Sequence, residues 1–321
     1  MYRVEHHWDP LKVCLVGTTY HPRLYDFVRS SSVRKTLQTI SEQTLEDLEN
    51  LCNVLKSFGV ETHQPNISSN YNDVVMGDKM LPAPLTPRDY TAMIDSAWFM
   101  PNPVREQEMA QYDYTWLKPI EQLVSKHGNT VYHNTNGIMI DSAMVHRCGD
   151  TLLVGNWTDG DDNSATVNTL KKIFPDKTIH LLNTEGHLDG VLCQINSNTV
   201  LHRPDWTDGV PGCNNIPIPY RKGTKHPRIK KYWLPEYINS VEFENFVEEN
   251  ISHWIGHISE TFLDVNMLII DNHNIIMSVK NPKLIKILET FNIKVTLVPL
   301  RNQMFWDGGI HCVTSDIDRS C

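Results

Sequence analysis

The chain has 321 residues, of which 40% are hydrophobic and 21% charged, with a formal net charge of −9. That is enough for a large core in a single domain over residues 1–321. It offers no basic stripe to a nucleic-acid backbone, since the most basic stretch, Arg221 to Lys231, is broken by glycine and proline and reads as a solvated loop. The seven cysteines (Cys14, Cys52, Cys148, Cys193, Cys213, Cys312 and Cys321) form no CxxC pair, the first residues carry no apolar signal run, and no stretch approaches the roughly eighteen apolar residues of a membrane span; the expectation is a soluble, cytoplasmic protein without a disulfide framework or structural zinc.

In chain order, Lys12 to Gly17 reads as a buried strand closed by glycine. From Ser41 to Phe58, Leu45, Leu48, Leu51, Cys52 and Leu55 recur at helical spacing and Gly59 supplies the cap. Val60 to Pro65 is a strand, and residues 66–86, rich in Asn, Ser, Asp and Pro, read as a long loop. Tyr90 to Phe99 is strand-like, Arg105 to Lys126 helical, and Thr130 to His133 a short strand. The apolar run Ile138 to Val145 is interrupted by Asp141, which on its own is a turn residue. Strands follow at Thr151–Gly155 and Thr178–Leu182 around a helix from Ser164 to Phe174, then at Val191–Ile195 and Thr199–His202. Residues 203–235 form a second long loop. Val241–Asn250 is helical, Val265–Asp271 and Ile275–Val279 are strands, Asn281-Pro282 caps a helix to Phe291, and Val295–Pro299 reads as the last long strand. Helix signals thus recur roughly every 60 residues among β-runs without a Gly-x-Gly-x-x-Gly, which suggests an α/β protein of about five similar units.

Two stretches carry the chemistry. Asp307-Gly308-Gly309-Ile310-His311-Cys312-Val313-Thr314 sets a thiol after a tight glycine turn. Another 125 residues upstream, His187-Leu188-Asp189 places an imidazole and a carboxylate two apart, on one side of an extended segment. Cys312 and His187 are therefore candidate partners in one pocket with Asp189 on its wall. The competing readings are an inert buried thiol and a zinc site made of His187, Asp189, His311 and Cys312.

Trp8-Asp9-Pro10-Leu11 with Val16-Gly17, Asn50 to Lys56 with Gly59-Val60, Pro87-Arg88-Asp89, His187-Leu188-Asp189, and Gly308 to Thr314 occur in an order that resembles the glycine amidinotransferases over nearly the whole chain. This places the chain beside the guanidine-modifying superfamily, which also includes arginine and agmatine deiminases and dimethylarginine hydrolases. The resemblance implies a pentein fold, a five-bladed α/β propeller with pseudo-fivefold symmetry and an axial active site. It also implies a catalytic set of Cys312, His187 and Asp141, Asp141 orienting the histidine, with Asp89 and Asp189 gripping the guanidinium by charge-assisted hydrogen bonds. Arg88, Arg203, Glu260 and Arg301 are further candidates for binding substrate. The implied reaction moves the amidino group of arginine, or a similar guanidine, to an amine through an amidino-cysteine, with no cofactor, no metal, small-molecule partners only and a homodimer as a compatible assembly. Water as second nucleophile would make a deiminase or hydrolase, and a pentein that binds without chemistry is a third reading.

The resemblance breaks at the carboxylate grip. The family's arginine after His-Leu-Asp aligns with Trp206, three residues beyond Arg203, and a later serine aligns near Ser259 or Glu260. This points to an amine acceptor other than glycine, with Glu260 or Asp264 facing a second cationic group. Arg105, Arg301 and Asn302 are further residues that could line the site, and Trp306-Asp307 lies in a loop that could cover it.

Overall fold

A computed structural model describes residues 1–68, 74–76, 79–100, 115–133, 140–156, 164–184, 187–221, 240–252, 255 and 263–319. Strand β1 (Leu11–Val16) leads through helix α1 (Ser31–Ser57) to β2 (Glu61–His63). The two-residue strands β3 (Val75–Met76) and β4 (Lys79–Met80) form a small hairpin inside the expected long loop. Next come the one-turn helix α2 (Pro87–Tyr90), hairpin β5 (Ala92–Ile94) and β6 (Ala97–Met100), α3 (Lys118–Lys126) and β7 (Thr130–His133). The third unit is β8 (Val145–Cys148), β9 (Thr151–Asn156), α4 (Ser164–Ile173) and β10 (Thr178–Asn183), and the fourth is β11 (Leu192–Asn196), β12 (Thr199–His202) and β13 (Asn214–Pro217). After α5 (Val241–Asn250) the fifth contains β14 (Leu268–Asp271), β15 (Asn274–Met277), α6 (Pro282–Thr290) and β16 (Lys294–Leu297). Helix α7 (Gln303–Trp306) then leads to β17 (Thr314–Arg319).

Among the described residues these strands make five three-stranded sheets with one pattern. Each is an antiparallel pair whose second strand is joined by a third running parallel to it: β5-β6-β7, β8-β9-β10, β11-β12-β13, β14-β15-β16 and β17-β1-β2. A parallel third strand demands a crossover. Helices α1, α3, α4 and α6 supply it in four units; in the fourth the irregular segment 203–213 does so.

The five expected units are therefore present, with two changes. The strand at Val295–Pro299 is not the last: β17 follows and pairs with β1 from Leu11↔Arg319 to Val16↔Thr314, so one sheet joins segments some 300 residues apart. Helix α1 begins at Ser31, ten residues before the expected Ser41, because its buried stripe continues backward through Ile40, Leu37 and Val33 to a Ser30 cap that accepts from the Val33 N–H. The stripe is masked in the sequence by two buried polar residues, Ser41 and Thr44; the Thr44 hydroxyl donates to the Ile40 carbonyl at 2.7 Å. The strand-like run from Tyr90 is the β5–β6 hairpin, turned at Asp95 with φ +50°. Of the helix expected from Arg105, residues 101–114 lie outside the described residues.

The units are packed together through strands with both faces buried. Cys14 and Val16 of β1 belong to the apolar cluster under α1, whereas Val13 and Leu15 face the cluster of β6 and α3. Leu268 and Ile270 of β14 join the α1 cluster while Met267 and Ile269 face α6. No described helix is long and apolar enough to cross a membrane.

Candidate active site

Each candidate side chain stands at a tight turn. Asp141 is fully buried, immediately before the 3-10 turn Ser142–Met144, and His187 immediately precedes the 3-10 turn Leu188–Gly190. Their side chains meet, His187 Nε2 lying 2.6 Å from Asp141 Oδ2. The other ring nitrogen, Nδ1, lies 3.8 Å from Asp89 Oδ1. A carboxylate only accepts, so the Asp141 contact fixes the proton on Nε2 and leaves Nδ1, on the Asp89 side, as the nitrogen able to take or give a proton.

Asp89 belongs to α2, where Pro87 occupies the first turn and the Thr86 hydroxyl donates to Asp89 Oδ2 at 2.7 Å. The neighbouring Arg88 turns inward. Its Nε donates to the His311 carbonyl and its terminal nitrogen to Asp316 Oδ1, both at 2.8 Å, and the residue is buried. Arg88, a candidate for binding substrate, here ties α2 to the Cys312 turn and to β17.

Cys312 is buried in the turn that precedes β17. Its Sγ lies 3.4 Å from Asp189 Oδ2, which also accepts from His311 Nδ1 at 2.8 Å. Asp189 Oδ1 is buried and meets no hydrogen-bond donor among the described residues. Asn266, unnoticed in the sequence, completes the turn: its Oδ1 accepts from the backbone N–H of His311 at 2.9 Å and of Cys312 at 3.2 Å, while its Nδ2 donates to Cys312 Sγ at 3.0 Å. Gly309 is required here, since a Cβ would collide with Asn266 Oδ1. Asp307, in the left-handed conformation at φ +53°, ends α7 and starts the turn.

The electrostatics follow from burial among carboxylates. Burial, then the negative charges of Asp189, Asp89 and Asp307, push the Cys312 thiol well above its ordinary value, against a lowering backbone hydrogen bond from Gly309. Both effects favour the thiol over the thiolate at Cys312. Burial alone would raise the Asp189 carboxyl, but the His311 hydrogen bond and the charges of His311, His187 and Arg88 outweigh it and hold it below the usual carboxylate range. Burial, then the Arg88 cation, brings His311 down to about 4 despite Asp189. At neutral pH His311 is thus an uncharged donor through Nδ1. Beneath the turn, Asp316 accepts from Arg88, Arg147 and Arg319. Those guanidinium charges outweigh burial and keep it ionised.

The remaining candidates lie elsewhere or are committed to protein partners. Arg203 Nε donates to Asp205 at 2.7 Å. Arg301 donates to Asp47 and Glu46 on α1, and Asn302 to the Ile40 carbonyl and Gln43, so this pair fastens α1 to the loop before α7. The structure gives neither arginine a bond to Cys312, His187 or their aspartates. Trp206 is a core residue, its ring nitrogen donating to the Asn183 carbonyl at 2.7 Å. Asp264 is fully buried and taken up by Arg221 and Asn281, which removes it as a ligand for a second cationic group. Trp306 donates to Thr44 of α1. Glu260, Ser259 and Arg105 lie outside the described residues. Among the described residues no three His, Cys, Asp or Glu side chains are grouped to hold a metal ion, and His187, bound to Asp141, is not part of the Cys312–His311–Asp189 contact set.

No protein-family model matches the chain. The mitochondrial glycine amidinotransferase of Xenopus tropicalis is 21% identical over 377 residues, covering 97% of this chain and 81% of that protein. The inosamine-phosphate amidinotransferase of Streptomyces griseus superposes with a TM-score of 0.73 at 17% identity, over 100% of this chain and 97% of its own. An amidinotransferase of the saxitoxin biosynthetic pathway from Microseira wollei gives 0.72 at 14% identity, over 100% and 98%. A dimethylarginine dimethylaminohydrolase, as an adduct with S-methyl-L-thiocitrulline, gives 0.60 at 15% identity, over 95% and 99%. With five repeated sheets and these superpositions, the chain shares the fold of these amidinotransferases and of this dimethylarginine hydrolase, the pentein fold.

Proposed function

We propose that the protein is a cytoplasmic amidinotransferase, a five-bladed pentein that carries the amidino group of arginine or a related guanidine on Cys312 and delivers it to an amine. The observation that carries this reading is a pair of neighbouring constellations: His187 held between Asp141 and Asp89, and Cys312 beside Asp189, whose second oxygen is buried without a donor among the described residues. A guanidinium offers planar N–H edges and a positive charge. Asp89 and Asp189 accept those edges, and the cation offsets the same carboxylate field that keeps the thiol protonated. Binding the substrate thereby favours the thiolate.

The thiolate forms a C–S bond to the guanidine carbon. His187 Nδ1, having taken the Cys312 proton as the thiolate formed, gives it to the leaving amine as the C–N bond breaks, and the amidino group remains on sulfur. The acceptor amine then attacks the same carbon and loses a proton to Nδ1, and the C–S bond breaks to restore the thiolate. Asp141 keeps the ring oriented and stabilises the imidazolium at both stages.

The acceptor in this reading is an amine other than glycine. Arg203 is paired with Asp205 and Trp206 is packed in the core, so no cation stands at the position expected to grip a carboxylate. The likeness to an enzyme named for an inosamine phosphate is consistent with a polyhydroxylated amine. Water as second nucleophile is the alternative, supported by the dimethylarginine hydrolase likeness, though its TM-score of 0.60 is below the 0.73 of the transferase.

Isotope-labelled arginine separates the two readings. Ornithine with a new guanidino compound supports transfer, and citrulline with ammonia supports hydrolysis. Absence of an amidine mass adduct on Cys312 during turnover overturns both. A panel of amines tests the acceptor, and glycine as the best of them by an order of magnitude overturns that part.

A further inference from the structure

We infer that Asn266 is a catalytic residue whose side-chain amide N–H stabilises the Cys312 thiolate while its carbonyl oxygen shapes the turn that presents the sulfur. The inference rests on Cys312 being the nucleophile. It concerns a residue that lies 46 positions upstream, in the apolar run Val265-Asn266-Met267-Leu268 that enters β14.

The orientation of the Asn266 amide follows from its partners. The backbone N–H groups of His311 and Cys312 can only donate, so the atom they share is the oxygen. The nitrogen therefore faces Cys312 Sγ at 3.0 Å, with its other contact at the Asp189 carbonyl, 3.3 Å away. Both ends of the amide are thus used, and all of the bonds go to the nucleophile, its neighbour His311 and Asp189. The residue is 1% exposed, so these bonds form away from competing water. Gly309 leaves the space that this oxygen occupies.

The charges facing Cys312 show what such a donor is for. Asp189 from its 3-10 turn, Asp89 from α2 and Asp307 from the end of α7 all oppose a negative sulfur. Arg88 is spent on the His311 carbonyl and Asp316, His187 sits between Asp141 and Asp89, and His311 is an uncharged donor to Asp189. Against three carboxylates, the Asn266 N–H is a fixed side-chain donor on the sulfur, joined by the Gly309 backbone N–H. A hydrogen bond to an ion is roughly twice as strong as one between neutral groups. It therefore favours the thiolate over the thiol, both before attack and when the C–S bond breaks.

The test measures thiolate formation rather than turnover. Alkylation of Cys312 by iodoacetamide is followed by peptide mass spectrometry from pH 6.5 to 9.5 in the wild-type chain and in Asn266→Asp and Asn266→Ser. The aspartate keeps both backbone bonds but turns an acceptor toward sulfur, and the serine is too short to reach it. Expected at pH 7.5 is a loss of about tenfold or more in the Cys312 rate, equal for iodoacetamide and for the bulkier N-ethylmaleimide. An unchanged rate overturns the inference, and so does a loss that grows with the size of the reagent, which marks blocked access. If neither variant folds by thermal melt, the Asn266 side-chain 15N–1H resonances of the wild-type chain are titrated against those of Cys312→Ser. A shift tied to ionisation of residue 312 is expected, and its absence overturns the inference. The readout needs no arginine. A wild-type chain that forms no amidine adduct overturns the proposed function, whereas a normal adduct beside an unshifted alkylation rate in the variants overturns only the Asn266 inference.

Discussion

His187 Nε2 and Asp141 Oδ2 lie 2.6 Å apart, and this contact decides which end of the imidazole works. With Nε2–H committed to a carboxylate, the lone pair of the neutral ring is on Nδ1, facing Asp89. Asp141→Asn keeps the shape but offers an N–H where a carboxylate oxygen was. The ring then turns its lone pair to the amide and its proton to the substrate, so general-base action is lost. The expected result is a fall in kcat on the order of a thousandfold with little change in KM, measured by steady-state kinetics. A loss confined to KM would contradict the assignment.

Acid stability should be governed by three buried imidazoles. Burial holds His7 and His146 well below their ordinary value, in each case helped by the Arg147 cation, and brings His311 to about 4. For His7 the Asp316 contact, and for His146 and His311 the Asp189 charge, oppose but do not reverse the shift. The folded chain keeps these rings neutral while the unfolded chain protonates them below about pH 6.5. The unfolded state then binds more protons, so stability rises with pH through this window and is lost as pH falls from about 6.5 toward 4. Each ring contributes a slope of up to about 1.4 kcal/mol per pH unit. Urea unfolding at pH 7, 6 and 5 should show this loss, and His146→Phe should reduce the slope.

Gly309→Ala should damage the nucleophile's turn. The added methyl meets Asn266 Oδ1, the atom that holds the His311 and Cys312 N–H groups. Relief of the clash requires one of these bonds to yield. A destabilisation of about 1–3 kcal/mol is expected, read from the urea midpoint, together with a lower kcat. A variant as stable and active as wild type would show that the turn is not held as described.

Asp316 is the counter-charge for three buried guanidiniums, at 2.8 Å from Arg88, 2.6 Å from Arg147 and 3.0 Å from Arg319. Asp316→Asn leaves these cations without an anion in a dry interior. The expected loss is about 3–5 kcal/mol, measured by denaturant unfolding. A change below about 1 kcal/mol would mean that solvent reaches the network.

The repeat was legible in the sequence because apolar runs and helical spacing alternate regularly, and Cys312, His187 and Asp189 stood out because reactive types follow glycine turns. Other features were hidden for physical reasons. Strand β17, Thr-Ser-Asp-Ile-Asp-Arg, looks like a solvated tail because its buried polar groups find many of their partners in distant segments, among them Arg88, Arg147, Thr91 and the carbonyls of Asp9 and Ile269. The sequence does not say where a guanidinium points; in the structure Arg88, a candidate for binding substrate, faces Asp316, and Arg301, another, faces α1. The signal for Asn266 was a polar residue within an apolar run, and such a residue is buried only when something there uses its hydrogen bonds.

The seam between β17 and β1 also bears on when the sulfur becomes usable. Cys312 precedes β17 by one residue, and the strand's own Asp316 anchors Arg88, which in turn holds the carbonyl of His311. Pairing of residues 314–319 with residues 11–16 fixes the turn in which the cysteine meets its carboxylate neighbour and its amide donor. Completion of this one sheet thus also completes the surroundings of Cys312, which makes the pairing of the first and last strands a condition for the hydrogen bonds of the sulfur.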